Sequence, residues 1–271
     1  MILFVITLSV IGAFIGSFLG VLVDRIPQNK SFIKGRSKCN FCNHDLRIFD
    51  LIPVFSYLSQ KGKCRYCREK LSLFYPIIEL TTGIMFVLIY LAITLNSQFS
   101  ISSELSIFNF QLIYYLIIVS ALIVVFFTDL KYGIIPDKIL FPVILISFVW
   151  IFINYQSELL NHLLSAFSAS VFFVTVSLLY YLVRKKNAMG GGDIKFAFFM
   201  GLFLGFPNIV VGLYSAFLTA ALYSIILIIW RKKAFLKDSI PFGPFLVIGV
   251  FISVFLGNYL WQKALVLLGL L

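Results

Sequence analysis

The chain has 271 residues, of which 61% are hydrophobic and 12% charged, and it carries a formal net charge of +11. Soluble domains hold about 25% charged residues, so an ordinary globular enzyme is excluded and a polytopic membrane protein is expected. The basic excess does not point to nucleic acid, because it falls in a few blocks between apolar runs.

Crossing about 30 Å of hydrocarbon takes roughly 20 apolar residues. Eight runs fit: about 2–23, 74–95, 110–128, 139–155, 163–183, 194–205, 209–230 and 243–261. The sixth is short, and the turn Gly205-Phe206-Pro207-Asn208 divides it from the seventh. The ending Ala264–Leu271 extends the last helix or lies at the interface. The first run has no basic n-region and no Ala-x-Ala-like exit, so it is read as a span and not as a cleavable signal. No internal sequence repeat and no low-complexity tract is expected.

Lysine and arginine fall in four blocks: 11 between Arg25 and Lys70, then Lys131 with Lys138, then Arg184 to Lys195, then Arg231 to Lys237. Only Lys263 lies outside them. With eight spans all four blocks share one side, which the positive-inside rule makes cytoplasmic. The N-terminus is then outside. The fold expected is all-α and polytopic, with about eight transmembrane helices. One soluble segment of some size, Asp24–Leu73, forms a cytoplasmic loop between helices 1 and 2.

All four cysteines lie in that loop, as Cys39-Asn40-Phe41-Cys42 and Cys64-Arg65-Tyr66-Cys67, with 21 residues between the pairs. Two C-x-x-C turns at this spacing suit tetrahedral zinc, each presenting two thiolates to one ion. Disulfides and a thiol redox relay are the competing readings. The loop's cytoplasmic side, where thiols stay reduced, favours structural zinc. His44 is read as a solvated loop residue, since four cysteines complete the shell. His162 falls in an expected outer loop, Gln156–His162, and receives no role.

Two of the 11 acidic residues stand at the mouths of different runs. Asp129 closes the third and Asp193, after Gly190, Gly191 and Gly192, opens the sixth; ionisable groups at such depth are functional candidates. By the topology above both emerge on the cytoplasmic face. Two carboxyls held close in an apolar setting share one proton. The ionised one can take a proton from water attacking a peptide carbonyl, and the protonated one can donate to the carbonyl oxygen and then to the leaving amine. The glycines are expected to let the backbone unwind and approach a bound strand. The plainer readings are that Asp193 caps a helix and that Asp129 belongs to an interfacial charge cluster with Lys131 and Lys138. A transporter or channel using the aspartates, and a zinc-stabilised scaffold without chemistry, are the rival functions.

The motifs resemble those of the bacterial type IV prepilin peptidases, also called leader peptidase/N-methyltransferases, of the GxGD aspartyl protease class. The likeness is carried by Gly16-Ser17-Phe18-Leu19 with Arg25-Ile26-Pro27, and by the cysteine loop with Asp50-Leu51-Ile52-Pro53 and Gly62-Lys63-Cys64. It continues through Tyr75-Pro76-Ile77-Ile78-Glu79, Thr128-Asp129 with Ile135-Pro136-Asp137, Gly190-x-Gly192-Asp193-x-Lys195, and Pro241-Phe242-Gly243-Pro244. One departure is Gly20, where many relatives have asparagine. The resemblance implies a proteolytic pair Asp129 and Asp193 within a six-span peptidase region, 110–271. The substrate would be a type IV prepilin or a pilin-like precursor, such as a competence or secretion pseudopilin, cut after a glycine on the cytoplasmic side. It also implies S-adenosylmethionine-dependent methylation of the new N-terminus by the part spanning 1–95, whose loop runs from 24 to 73. Glu79 and Gly62 are the candidates for that reaction by position, Glu79 being alternatively a helix-end charge near Lys70. The loop's basic residues can also meet anionic membrane lipids, and the sequence carries no signal for an oligomeric state.

Overall fold

The computed structural model describes residues 2–31, 37–39, 41–95, 110–185, 189–230 and 240–269. The expected loop 96–109, Lys34, Arg36, Lys186 and the block Arg231–Lys237 lie outside the described residues. Nine helices are found among those described: α1 (Ile2–Arg25), α2 (Phe55–Ser59), α3 (Phe74–Leu95), α4 (Phe110–Tyr132), α5 (Asp137–Asn154), α6 (Leu159–Arg184), α7 (Gly191–Leu204), α8 (Asn208–Ile229) and α9 (Gly243–Leu267). Each of the eight apolar runs corresponds to one helix. Seven are long and apolar enough to cross a membrane by length and composition. The exception is α7, whose 14 residues extend only about 21 Å at 1.5 Å per residue.

The helix boundaries follow from local chemistry. At the end of α4, Gly133 takes φ +65° and its N–H donates to the Asp129 carbonyl at 2.8 Å, an αL stop that glycine makes without steric cost. Pro136 caps the start of α5, and proline also stands in the first turn of α9, where its missing N–H costs no helical bond.

The chain forms two compact units, Met1–Phe127 and Thr128–Leu271. In the first, α1 packs along α3, with Val23, Ile78 and Phe86 wholly buried. In the second, α6 packs along α7 and α8 along α9, while α7 also touches α5 and α9. Its centre is Phe173, Phe196, Phe199, Met200 and Leu246. Small residues line the seams, as packing between apolar helices requires when there is no water to expel. A Cβ on Gly201 of α7 would strike the backbone of Ser165 and Ala166 on α6. Outward-facing side chains are apolar along whole helices; Leu160, Leu164, Phe167 and Leu182 of α6 are all exposed. Surface of that kind is an aggregation liability in water and an ordinary contact with lipid.

Two expectations are corrected here. His162 is not in a loop: α6 begins at Leu159, because the apolar residues Leu159, Leu160 and Leu163 already continue its pattern. Its Nδ1 lies 2.7 Å from the carbonyl of Leu202 at the end of α7. The cysteine loop also contains a repeat. Ser37–Leu46 and Gly62–Leu71 align at an offset of 25 residues, sharing Lys-Cys, an aromatic, a second Cys and a final Leu.

Replacing Gly201 by leucine should force α6 and α7 apart. The expected cost is about 1–3 kcal/mol, typical of overpacking, read as a lower thermal midpoint of the purified protein in detergent.

Candidate functional site

In the second unit, Asp129 lies in the last turn of α4 and is 5% exposed. A carboxyl so buried needs a donor, and Gly243 supplies one: its backbone N–H donates to Asp129 Oδ2 at 2.8 Å. Gly243 is the first residue of α9, whose opening amides have no intrahelical acceptor and whose dipole favours an acidic group. The fit requires glycine, since a Cβ would come 2.6 Å from that same Oδ2. The sequence singled out Pro241-Phe242-Gly243-Pro244 without linking it to Asp129. The available signal was the Gly-Pro pair, which marks a helix start and hence free amides.

Asp193 sits in the first turn of α7, and the N–H of Gly190 donates to its Oδ2 at 3.2 Å. The capping role weighed from sequence is therefore real. It does not exclude another, because that bond uses only Oδ2. Gly191 and Gly192 are helical, and only Gly190 is extended. The expected unwinding is thus confined to one residue, because Asp193 closes the turn back onto Gly190. What Gly192 provides is proximity: a Cβ there would come 3.1 Å from Cβ of Ile135.

In the first unit the four thiols converge, all Sγ atoms lying within 4.8 Å of one another. Cys39 and Cys67 are 3.9 Å apart, against about 3.8 Å between thiolates bound tetrahedrally at 2.3 Å. The two arms are built alike. The N–H of Cys39 donates to the His44 carbonyl and that of Cys64 to Glu69, while Asn43 and Arg68 return bonds to the carbonyls of Cys39 and Cys64. Both returning residues are left-handed, at φ 54° and 60°. His44 is exposed and lies against Tyr66 of the other arm, ring centroids 3.8 Å apart and planes tilted by 36°.

Crowding splits the acidities. Burial pushes the Cys39 thiol up, but the amides of Cys42 and Phe41 and the neighbouring sulfurs bring it down to about 7. For Cys67 the Glu69 amide pulls down, while burial and the other three sulfurs push it up to about 12. Four such thiols ionise together only around a cation. The cluster fits a metal ion.

The segment joining the arms is held by Asp50, which sequence reasoning gave no role. Its carboxyl accepts from the Arg47 N–H, Gln60 Nε2 and Tyr66 Oη, and lies 3.3 Å from Arg65 Nε. Glu79 is buried on α3 and is not a helix-end charge paired with Lys70. Its Oε2 accepts the N–H of Val54 at 2.7 Å, and the Ser17 hydroxyl reaches the same carboxyl. Val54 has φ 61° and ψ −48°, with the N–H of Phe55 bonded to the Pro53 carbonyl at 2.5 Å. That is a γ-turn rare for a β-branched residue and costly in strain. Gly62 is needed for its backbone, at φ 69° with a Cβ position 2.8 Å from Tyr57 Oη. Glu79 and Gly62 have no contact with each other among the bonds described. Gly20 faces Tyr75, whose Cδ1 would lie 3.3 Å from an added Cβ. A side chain at this position would need the ring to give by a few tenths of an ångström.

Fold and site together define a polytopic helical membrane protein with two helix-end carboxyls in one unit and a four-thiol cluster in the other. Residues 10–93 match the family described as the bacterial peptidase A24 N-terminal domain, and residues 116–225 match the type IV leader peptidase family. The chain is 30% identical to a prepilin leader peptidase/N-methyltransferase of Bacillus subtilis, covering 93% of this chain and 94% of that one. Proteins of the same description from Myxococcus xanthus and Aeromonas salmonicida are 28% and 25% identical, covering 86% and 90% of this chain and 65% and 88% of theirs. No solved structure matches. The chain belongs to the bacterial A24 family of type IV prepilin leader peptidase/N-methyltransferases.

Glu79→Ala should leave the Val54 amide without an acceptor and release the strained turn, a loss of about 1–3 kcal/mol for a buried donor. Limited proteolysis between α1 and α3 should accelerate, whereas Glu79→Gln, which keeps an acceptor oxygen, should stay close to the parent.

Proposed function

We propose that this chain removes the leader peptide from type IV prepilins or pilin-like precursors, using Asp129 and Asp193 to activate water. What supports the reading is that two carboxyls stand at the ends of separate helices within one unit, each with Oδ2 committed to a backbone amide. The remaining oxygen of each is then available to hold the attacking water and the scissile carbonyl. Both acids lie within a turn of a helix end, as a site at the membrane boundary requires. A transporter would place them at mid-span.

The reaction runs as general acid–base catalysis. The ionised aspartate takes a proton from water as it adds to the peptide carbonyl, while the protonated one hydrogen-bonds the developing oxyanion. Collapse breaks the C–N bond, and the protonated acid delivers its proton to the leaving amine. A precursor with its apolar helix in the bilayer and its leader in the cytoplasm would bring the cleavage point to this depth. Supporting that orientation, Arg25, Lys70, Lys131, Lys138, Arg184 and Lys195 all fall at alternate helix connections, the side made cytoplasmic by the positive-inside rule.

The same reading assigns residues 1–95 to N-methylation of the new N-terminus, with S-adenosylmethionine as donor, and residues 110–271 to proteolysis. Cys39, Cys42, Cys64 and Cys67 would hold a structural zinc ion, supplying folding energy to a loop with a small apolar core. Glu79 and Gly62 would serve methylation by shaping that loop.

Asp129→Ala and Asp193→Ala should each reduce leader cleavage of a reconstituted precursor by at least about 10⁴-fold, the range seen for removal of a catalytic group. Asn replacements should be as inactive, with all variants still in the membrane. Cleavage retained by either Ala variant rejects the pair. Metal analysis of the purified protein should give one zinc per chain, falling sharply in Cys64→Ser, and methyl transfer should suffer more than cleavage.

A further inference from the structure

We infer that Lys195 and Asp137 form a positioning clamp that sets the roll of α7 and so aims Asp193 at Asp129. This rests on the proposed aspartate pair and adds residues to which that reading gives no task. Lys195 Nζ lies 2.9 Å from both Oδ1 and Oδ2 of Asp137, the first residue of α5. It also sits 5.4 Å from the ring centroid of Phe141, one turn further along α5.

The side chains are 43% and 50% exposed, and ion pairs so exposed contribute little to stability. What this pair does have is leverage. Residues advance by about 100° around a helix, so Lys195 lies about 200° from Asp193, across the helix from it. Fastening one face of a short helix fixes where the opposite face points.

A second contact acts on the same element. Gly192 rests against Ile135, close enough that an added Cβ would be 3.1 Å away. Ile135 lies in the short connector after α4, and Asp137 opens the helix that follows it. The first five residues of α7 are therefore fastened at two points to the segment that follows the other aspartate. Phe196, Phe199 and Met200 are buried further along α7, so the freedom left to Asp193 is that of the helix start, which the clamp closes. A misplacement of about 1 Å at a reacting group costs on the order of a hundredfold in rate.

The test uses the full-length protein in liposomes with a purified type IV prepilin. Lys195→Met and Asp137→Asn should each lower kcat by about tenfold or more with KM within about twofold, since the clamp acts on the reacting geometry and not on substrate binding. The exchanged double variant Lys195→Glu/Asp137→Lys should recover most of the lost kcat. Lys195→Arg, which keeps a bidentate pair, should stay within about threefold of the parent and serves if the exchanged protein does not fold. Parental kcat in both single variants overturns the proposal. So does a rise in KM in place of the fall in kcat, or Lys195→Arg as impaired as Lys195→Met. Asp193→Asn separates the two readings: if it still cleaves, the aspartate pair itself fails, whereas an inactive Asp193→Asn beside fully active clamp variants removes the clamp alone.

Discussion

A carboxyl placed among apolar helices must find a donor, and inside a helical body almost every backbone amide is already taken. The exceptions are the opening amides of each helix. Asp129 therefore has to meet the beginning of another helix, and it meets α9 at Gly243. Much of the second unit follows from that one bond. The end of α4 must reach the start of α9, position 243 must lack a side chain, and a proline can follow because its amide is not needed there. Asp193 solves the same problem with its own helix, through Gly190. Glu79 solves it in the first unit with an amide from a tight turn, Val54.

The division between what was legible in the sequence and what was not follows the range of the forces involved. Apolar runs define spans by local composition, so every run found its helix, including the short one before Gly205. The thiol cluster was legible because C-x-x-C geometry is local and its two halves need only one ion to join them. The partners of the carboxyls were not legible, since Gly243 and Asp129 are 114 residues apart and glycine looks the same whether it bends, packs or yields to a neighbour. The triple glycine illustrates this: it was expected to unwind, yet two of the three residues are helical and one serves a close approach to Ile135. His162 was missed for the converse reason. A polar residue near a loop reads as solvated until its acceptor, the Leu202 carbonyl, is brought to it by packing.

The ten-residue repeat was hidden by its own divergence. Between the second cysteine and the final leucine, one arm reads Asn43-His44-Asp45 and the other Arg68-Glu69-Lys70. The backbone bonds are nonetheless the same in both. Main-chain geometry around a sulfur centre needs the cysteines and a left-handed residue after the second of them. It places little demand on the side chains between, which are free to carry charge or to meet an aromatic ring, as His44 meets Tyr66.

The bond from Tyr75 Oη to Asp24 Oδ2, 2.6 Å long, joins the last turn of α1 to the first turn of α3. The chain thus leaves and rejoins its helical hairpin at nearly one point. Everything from Ile26 to Leu73 is an excursion from a closed base, like a signet set on a ring. A change of length within such a setting need not part the two helix ends that carry it, since loop closure costs little more as a loop grows.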